Sequence, residues 1–242
     1  MSGSRILEVA ELDLTLEQTL WPFAQAEAER IAAHWRAQRA LRPRLFNGRV
    51  LLLGRHTLER RADGANALRG VYREVDYASF LAWRDFGFPD ASVCNCFSAA
   101  ALLSSDGAFL LGEMAPHTAN GGKIYFAAGT PDLKDAFDGR VDLTASVTRE
   151  LQEETGLSAQ DVRYGPAWTL LYAPPFIACL KVMRVDAPAQ AVKTRIEAFL
   201  AADPEAELVR MHIVRRSHEI DEQRSPRFIV DFLRFAFAQS EG

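Results

Sequence analysis

The sequence predicts an α/β fold, a mixed sheet lying between helices, with a smaller annex of helix and strand over residues 1–90. Three features of the 91–242 stretch carry that expectation. Apolar runs at 97–103 and 108–113 flank Ser105-Asp106-Gly107, whose residue types favour the tight turn of a hairpin. Leu143, Val147 and Leu151 recur at helical spacing, so residues 143–155 form a helix with one buried stripe that stops at Gly156. Ser225-Pro226 opens a closing helix that runs to Gln239 and turns Phe228, Ile229, Phe232, Leu233 and Ala236 to the core.

In chain order, residues 1–20 are acidic and are assigned no element. Residues 21–40 read as one helix: Pro22 suits the first turn, and Ala24, Ala28, Ile31, Ala32 and Trp35 repeat at helical spacing as a core face. Arg42-Pro43-Arg44 interrupts it. A short strand at 50–53 follows the Asn47-Gly48 turn, with a second strand at 68–75 and a short helix at 77–83. Gly87, Pro89 and Asp90 make 86–92 a connection. Beyond the hairpin, Pro116, Asn120 and Gly121-Gly122 make 114–122 a mobile loop, and a strand at 123–126 runs into Ala127-Ala128-Gly129. Two strands are expected within 162–185, divided by Pro174-Pro175, then a helix at 188–202 and a strand at 208–215.

Composition narrows the function classes. An apolar content of 48% and a charged content of 25% are ordinary for a soluble globular chain. A net charge of −4 argues against a basic nucleic-acid surface. The arginines at 36–44 and 55–61 read as solvated surface or as contacts to substrate phosphate. No apolar run approaches the roughly 18–20 residues that span a membrane, and the acidic start lacks the pattern of a secretory signal, so a cytoplasmic location is expected. The three cysteines cannot all pair with one another, and Cys94-Asn95-Cys96 lacks zinc-knuckle spacing; reduced thiols are expected.

The functional signal lies in Arg149-Glu150-Leu151-Gln152-Glu153-Glu154-Thr155-Gly156-Leu157. Spacings of i, i+3 and i+4 put Glu150, Glu153 and Glu154 on one helix face. Like charges so placed disfavour an isolated helix by roughly 0.2–0.5 kcal/mol per pair. A cation relieves that repulsion, and a hard divalent ion such as Mg²⁺ (or Mn²⁺) takes such oxygen ligands. A bare acidic face is more often simply solvated; the whole string decides otherwise.

That string resembles the second half of the Nudix box at every specified position: Arg-Glu-apolar-x-Glu-Glu-x-Gly-apolar. The resemblance implies a Nudix-type αβα sandwich and metal-dependent hydrolysis of a diphosphate bond in a nucleoside diphosphate linked to another moiety. It implies Glu150, Glu153 and Glu154 as metal ligands, joined by the carbonyl of Ala128 or Gly129. Glu150 or an acid outside the box would act as base, and Arg149 would orient Glu153 one turn on. Glu205, Glu207, Glu219 and Asp221 are candidates for the outside acid. Tyr172 and Phe176 could stack on a base or belong to the core.

The first half of the box is altered. Its Glu slot falls on Val141 and its Gly slot on Asp135, whereas Gly129 fits the box glycine if the loop 130–140 is six residues longer. Asp142 suits a helix N-cap. Asp135, Asp138 or Asp142 could replace the missing Glu.

The annex carries a second resemblance. Trp35, Leu45-Phe46-Asn47, a strand pair and Asp76-Tyr77-x-x-Phe80 are similar in pattern and order to the UDP-glucose pyrophosphatase branch of that family, which implies a nucleotide sugar as substrate. The competing role for the annex is to extend the sheet or to form a homodimer contact. A non-catalytic nucleotide-binding or regulatory module is the alternative to an enzyme. The partner expected is a small nucleoside diphosphate compound, not a nucleic acid or a membrane.

Overall fold

The computed structural model describes residues 5–240. Two strands open it, β1 (Arg5–Val9) and β2 (Glu11–Glu17), where no element was expected. The signal was there: Leu12, Leu14 and Leu16 alternate with Asp13, Thr15 and Glu17, the period of a half-buried strand. The expected helix at 21–40 is two, α1 (Pro22–Ala26) and α2 (Ala28–Leu41), which meet at Glu27. The break lets Trp21 drop against Trp83 at its own angle, while Ile31 packs with Ala78 and Ala82. Ala28 and Ala32 are exposed, so the core face is narrower than the apolar spacing implied.

The strand expected at 50–53 extends over β3 (Arg49–Arg60), which pairs with β4 (Asn66–Asp76) before α3 (Tyr77–Asp85). The outer half of β3 is charged because β3 lies at a sheet edge; Arg55 on it and Arg61 just beyond it find Glu17 and Glu11 on β2. Next come β5 (Asn95–Leu103), β6 (Phe109–Met114), β7 (Ile124–Tyr125) and β8 (Ala128–Gly129). The lengthened loop at 130–140 is largely structured. It holds a 3-10 turn, Leu133–Asp135, then β9 (Ala136–Phe137) and β10 (Arg140–Val141). The remainder is α4 (Leu143–Thr155), β11 (Val162–Arg163), β12 (Trp168–Ala173), β13 (Phe176–Val185), α5 (Ala189–Ala201), β14 (Leu208–Val214) and α6 (Arg227–Ser240).

Among the described residues the strands form two mixed sheets. The larger runs β1-β12-β13-β5-β6-β14, parallel only between β13 and β5, and the smaller runs β3-β4-β2-β10-β9, parallel only between β2 and β4. Chain order and sheet membership cross: β1 joins the larger sheet through β12, and β9 and β10 join the smaller one through β2.

Neighbouring residues of a strand point to opposite faces. On β5 the Ser98 hydroxyl meets Ser146 of α4 at 3.3 Å, whereas the Phe97 ring meets Phe228 of α6 edge-on at 5.2 Å. Helices therefore cover both faces of the larger sheet, and every residue of β5 is buried. Phe109, Phe126 and Phe232 close the α6 side with edge-to-face contacts. Cys94, Cys96 and Cys179 are free and buried. No helix among the described residues is long and apolar enough to cross a membrane.

Candidate active site

The acidic helix α4 is held at both ends. The Asp142 carboxylate accepts hydrogen bonds from the backbone N–H groups of Thr144 (2.7 Å) and Ala145 (3.1 Å), which satisfies donors a helix N-terminus leaves unpaired. At the other end Gly156 sits at φ +70°, and the ring of Phe199 occupies the space a side chain there would need. Leu143, Val147 and Leu151 are buried as the spacing required. Their burial fixes the rotation of the helix, and the acidic face turns toward β8.

On that face Glu150 and Glu154 lie inward. Glu154 is only 6% exposed, its Oε1 accepts the Ala128 N–H at 3.3 Å, and its Oε2 is buried without a hydrogen-bond partner. The Glu150 carboxylate lies so close to Gly129 that a β-carbon there would overlap it. Burial, countered by Arg149 and reinforced by the charge of Glu153, pushes the Glu150 carboxyl up to about 7. Burial, then the charges of Glu150 and Glu207, push Glu154 well above the usual carboxylate range.

Glu153 is placed differently. Its side chain is 56% exposed and turned to Arg149, whose Nη1 lies 3.1 Å from Glu153 Oε2 and 2.8 Å from Glu150 Oε1. Among the described residues no three carboxylate, imidazole or thiol groups converge as a ready-made metal cluster. The donor set nevertheless fits a hard cation. Two desolvated carboxylates lie side by side, one oxygen has no partner, and a positive ion would stabilise the charged form that burial disfavours.

Arg149 has a partner that the spacing did not single out. Asp135, 1% exposed, accepts from Arg149 Nη2 at 2.9 Å and Nε at 3.3 Å, and from the Asp132 N–H at 3.0 Å. Burial works against the Arg149 charge, but the bond to Asp135 and the charge of Glu150 outweigh it and raise its pKa. Of the three acids open as replacements for the box Glu, Asp135 is the one on the arginine. Asp142 is used as the helix cap, and Asp138 is exposed in a turn at φ +49°.

The four outside acids also separate. Glu205 pairs with Arg44 of the annex, Glu219 accepts the Arg215 N–H, and Asp221 holds Arg224. Glu207 is the one whose charge bears on Glu150 and Glu154. Tyr172 shares a 3.0 Å hydrogen bond with His56, and Phe176, an exposed ring, lies edge-on against Phe88.

No protein-family model matches the sequence, and no curated protein matches it. Among solved structures the chain is similar to a Nudix hydrolase, RenU, from M. smegmatis, with a TM-score of 0.42 and 12% identity over 61% of this chain and 86% of that one. It is similar to the MutT protein of Methanosarcina mazei Go1, with a TM-score of 0.40 and 18% identity over 61% and 95%. A C. elegans Ap4A hydrolase in a binary complex gives a TM-score of 0.38 and 11% identity over 60% and 95%. These are distant likenesses of fold, and function rests on the residues of the site itself.

Proposed function

We propose that this chain is a Nudix-type hydrolase that cleaves, with a divalent metal, the diphosphate bond of a nucleoside diphosphate linked to another moiety, with a nucleotide sugar as the favoured substrate class. The observation that carries the proposal is the buried Glu154 oxygen without a partner, beside the desolvated Glu150 carboxylate, on a helix whose sequence repeats the metal-binding half of the box. Glu150, Glu154 and, after a modest turn of its exposed side chain, Glu153 would hold Mg²⁺ or Mn²⁺.

A bound divalent ion would neutralise charge on the phosphoryl oxygens as the bond breaks. The chain's own residues do the rest. Glu150, its carboxylate set against the Gly129 backbone on the acidic face, acts as base toward the attacking water. Arg149 pairs with Glu150 and Glu153 and is itself held by Asp135, which keeps the guanidinium beside the acidic face. Close approach of the Gly129 backbone keeps the Glu150 carboxylate from swinging away.

The test is Glu153→Gln combined with Glu154→Gln, assayed with a panel of nucleoside diphosphate compounds for Mg²⁺-dependent release of a nucleoside monophosphate. Turnover in the wild type and none in the folded variant is expected. Undiminished turnover in the variant would overturn the metal-helix assignment. The outward position of Glu153 favours one second reading, a binding module on this fold, which predicts nucleotide-sugar binding with no product from the wild type.

A further inference from the structure

Between the two sheets, at the start of α4, lies a cavity of about 630 Å³ that Glu150, Glu153 and Glu154 do not line. Its walls come from β2, β9 and β10 of the smaller sheet and from β12 and β13 of the larger. Thr144, on the first turn of α4, also lines it, and Glu150 follows six residues later, roughly 9 Å along the helix axis. The lengthened loop builds the wall on the side of the smaller sheet. Asp138 and Gly139, at φ +49° and +73°, form the two-residue turn of a hairpin whose strands are β9 and β10. Arg140 pairs with Thr15 of β2, and the Leu16 N–H bonds to the Gly139 carbonyl at 2.8 Å. The extra residues are therefore fixed to β2, and they set Phe137, Arg140 and Val141 on the cavity.

Two properties of the cavity point to an occupant. Its apolar lining is aromatic and partly open to water: Phe137 is 64% exposed and Tyr164 38%, while Trp168 is buried. Rings left in water forgo the roughly 25 cal/mol per Å² that burial returns, and a flat apolar ligand against them would recover it. The charge of the lining is also unbalanced. Lys181 is 2% exposed, and its ammonium donates to the carbonyls of Gly165 (3.3 Å), Pro166 (2.9 Å) and Ala167 (3.2 Å), 3.9 Å from the centre of the Trp168 ring. Those partners are neutral, so the buried charge keeps no counter-ion among the described residues. The two acids on the cavity are already taken, Glu11 by Arg61 at 2.6 Å and Asp142 by the N–H groups it caps on α4. Arg140, an exposed side chain, shares Asp13 with Arg69, so one carboxylate serves two guanidinium groups. Positive charge thus outweighs negative where the rings are open.

We propose that this cavity is a second ligand site, for a small aromatic carboxylate: the ring lies against Phe137, Tyr164 and Trp168, and the carboxylate pairs with Arg140 in the field of Lys181. Arg140 turns to the ligand from Asp13, which keeps Arg69, and forms a charge-assisted pair. The volume falls within the roughly 300–1,000 Å³ of small-molecule sites. A nucleoside diphosphate would need several cations for its charges, and the lining offers one exposed guanidinium. Because the ligand touches strands of both sheets, it fastens the annex to the core. The inference is independent of the hydrolase reading, since no residue of the acidic face takes part.

The test is calorimetric titration of naphthoate into the full chain without metal. One-to-one binding is expected, with a rise in Tm as the ligand is added. The neutral naphthamide should bind about tenfold more weakly, because it lacks the charge that Arg140 and Lys181 answer. Phe137→Ala and Arg140→Gln alter exposed side chains, so both should fold, and each should weaken naphthoate about tenfold. Phe46→Ala removes an exposed ring that does not line the cavity and should leave binding unchanged. Lys181→Met, which keeps the length and removes the charge, should weaken binding as well. Circular dichroism checks that each variant is folded, and the two surface variants decide the matter if Lys181→Met is not. Absence of saturable binding at millimolar naphthoate, equal affinity for the amide, or undiminished binding in both Phe137→Ala and Arg140→Gln would each overturn the proposal. Displacement of naphthoate by lower concentrations of ADP or decanoate would overturn it too, in favour of a nucleotide or a fatty acid.

Discussion

Removing the Asp135 carboxylate tests the internal scaffold of the acidic face. In Asp135→Ala, Arg149 loses hydrogen bonds of 2.9 and 3.3 Å to a carboxylate that is 2% exposed, and the Asp132 N–H loses its acceptor. Breaking one side of a buried ion pair costs about 3–5 kcal/mol when the other charge is left bare. Arg149 is not left bare. Its side chain is 21% exposed and keeps Glu150 at 2.8 Å and Glu153 at 3.1 Å, which places the loss at the lower end, about 3 kcal/mol. That is roughly a hundredfold in the ratio of folded to unfolded chain. Equilibrium urea unfolding should show the midpoint falling with the slope unchanged. A double-mutant cycle with Arg149→Ala should return a coupling well above 1 kcal/mol. The freed arginine is expected to settle on Glu150 and Glu153, so Mg²⁺-dependent turnover should fall more than stability alone explains. A loss below about 1 kcal/mol, or additive single mutants, would refute the claim that Asp135 anchors this face.

Gly129→Ala sets a methyl group against the Glu150 carboxylate, so it should fold and yet lose most of its metal-dependent activity; a circular dichroism spectrum beside the hydrolysis assay checks both. Without divalent ions, the Glu150 carboxyl is raised in the folded chain, so folding favours its protonated form. Its contribution to stability is therefore greatest below the ordinary value of 4.5 and is lost as pH rises from 4.5 to about 7. Unfolding free energies across that interval, in the presence of a chelator, should fall more steeply for wild type than for Glu150→Gln, and equal slopes would contradict the assignment. Added Mg²⁺ should raise the wild-type Tm more at the upper end of the interval than at the lower, because the charged carboxylates bind it.

How legible these features were depends on how local their causes are. The helix α4 was readable because its stripe, its Asp142 cap and its Gly156 stop all lie within fifteen residues. The hairpin around Asp106 and the closing helix were readable for the same reason. The strand β2 has a period of two in Leu12, Leu14 and Leu16, but the acidic and polar residues between them leave no continuous apolar run of the kind that marks the buried strands. The narrower face of α2 could not be read at all: whether an alanine is covered depends on what packs above it, and nothing covers Ala28 and Ala32.

By itself, the order of residues determined that this chain carries three carboxylates on one helical face, beside an arginine and ahead of a glycine stop. That follows from the 3.6-residue turn and needs no partner. Only the tertiary structure decided where each carboxylate lies and what it touches. Packing of Leu143, Val147 and Leu151 rotates Glu150 and Glu154 inward beneath Ala128 and Gly129 and leaves Glu153 at the surface. The 3-10 turn Leu133–Asp135 ahead of β9 sets Asp135 on Arg149, a choice among three aspartates that spacing left open. Burial then sets the charge cost of each acid, and burial is a property of the assembled core rather than of any stretch of sequence.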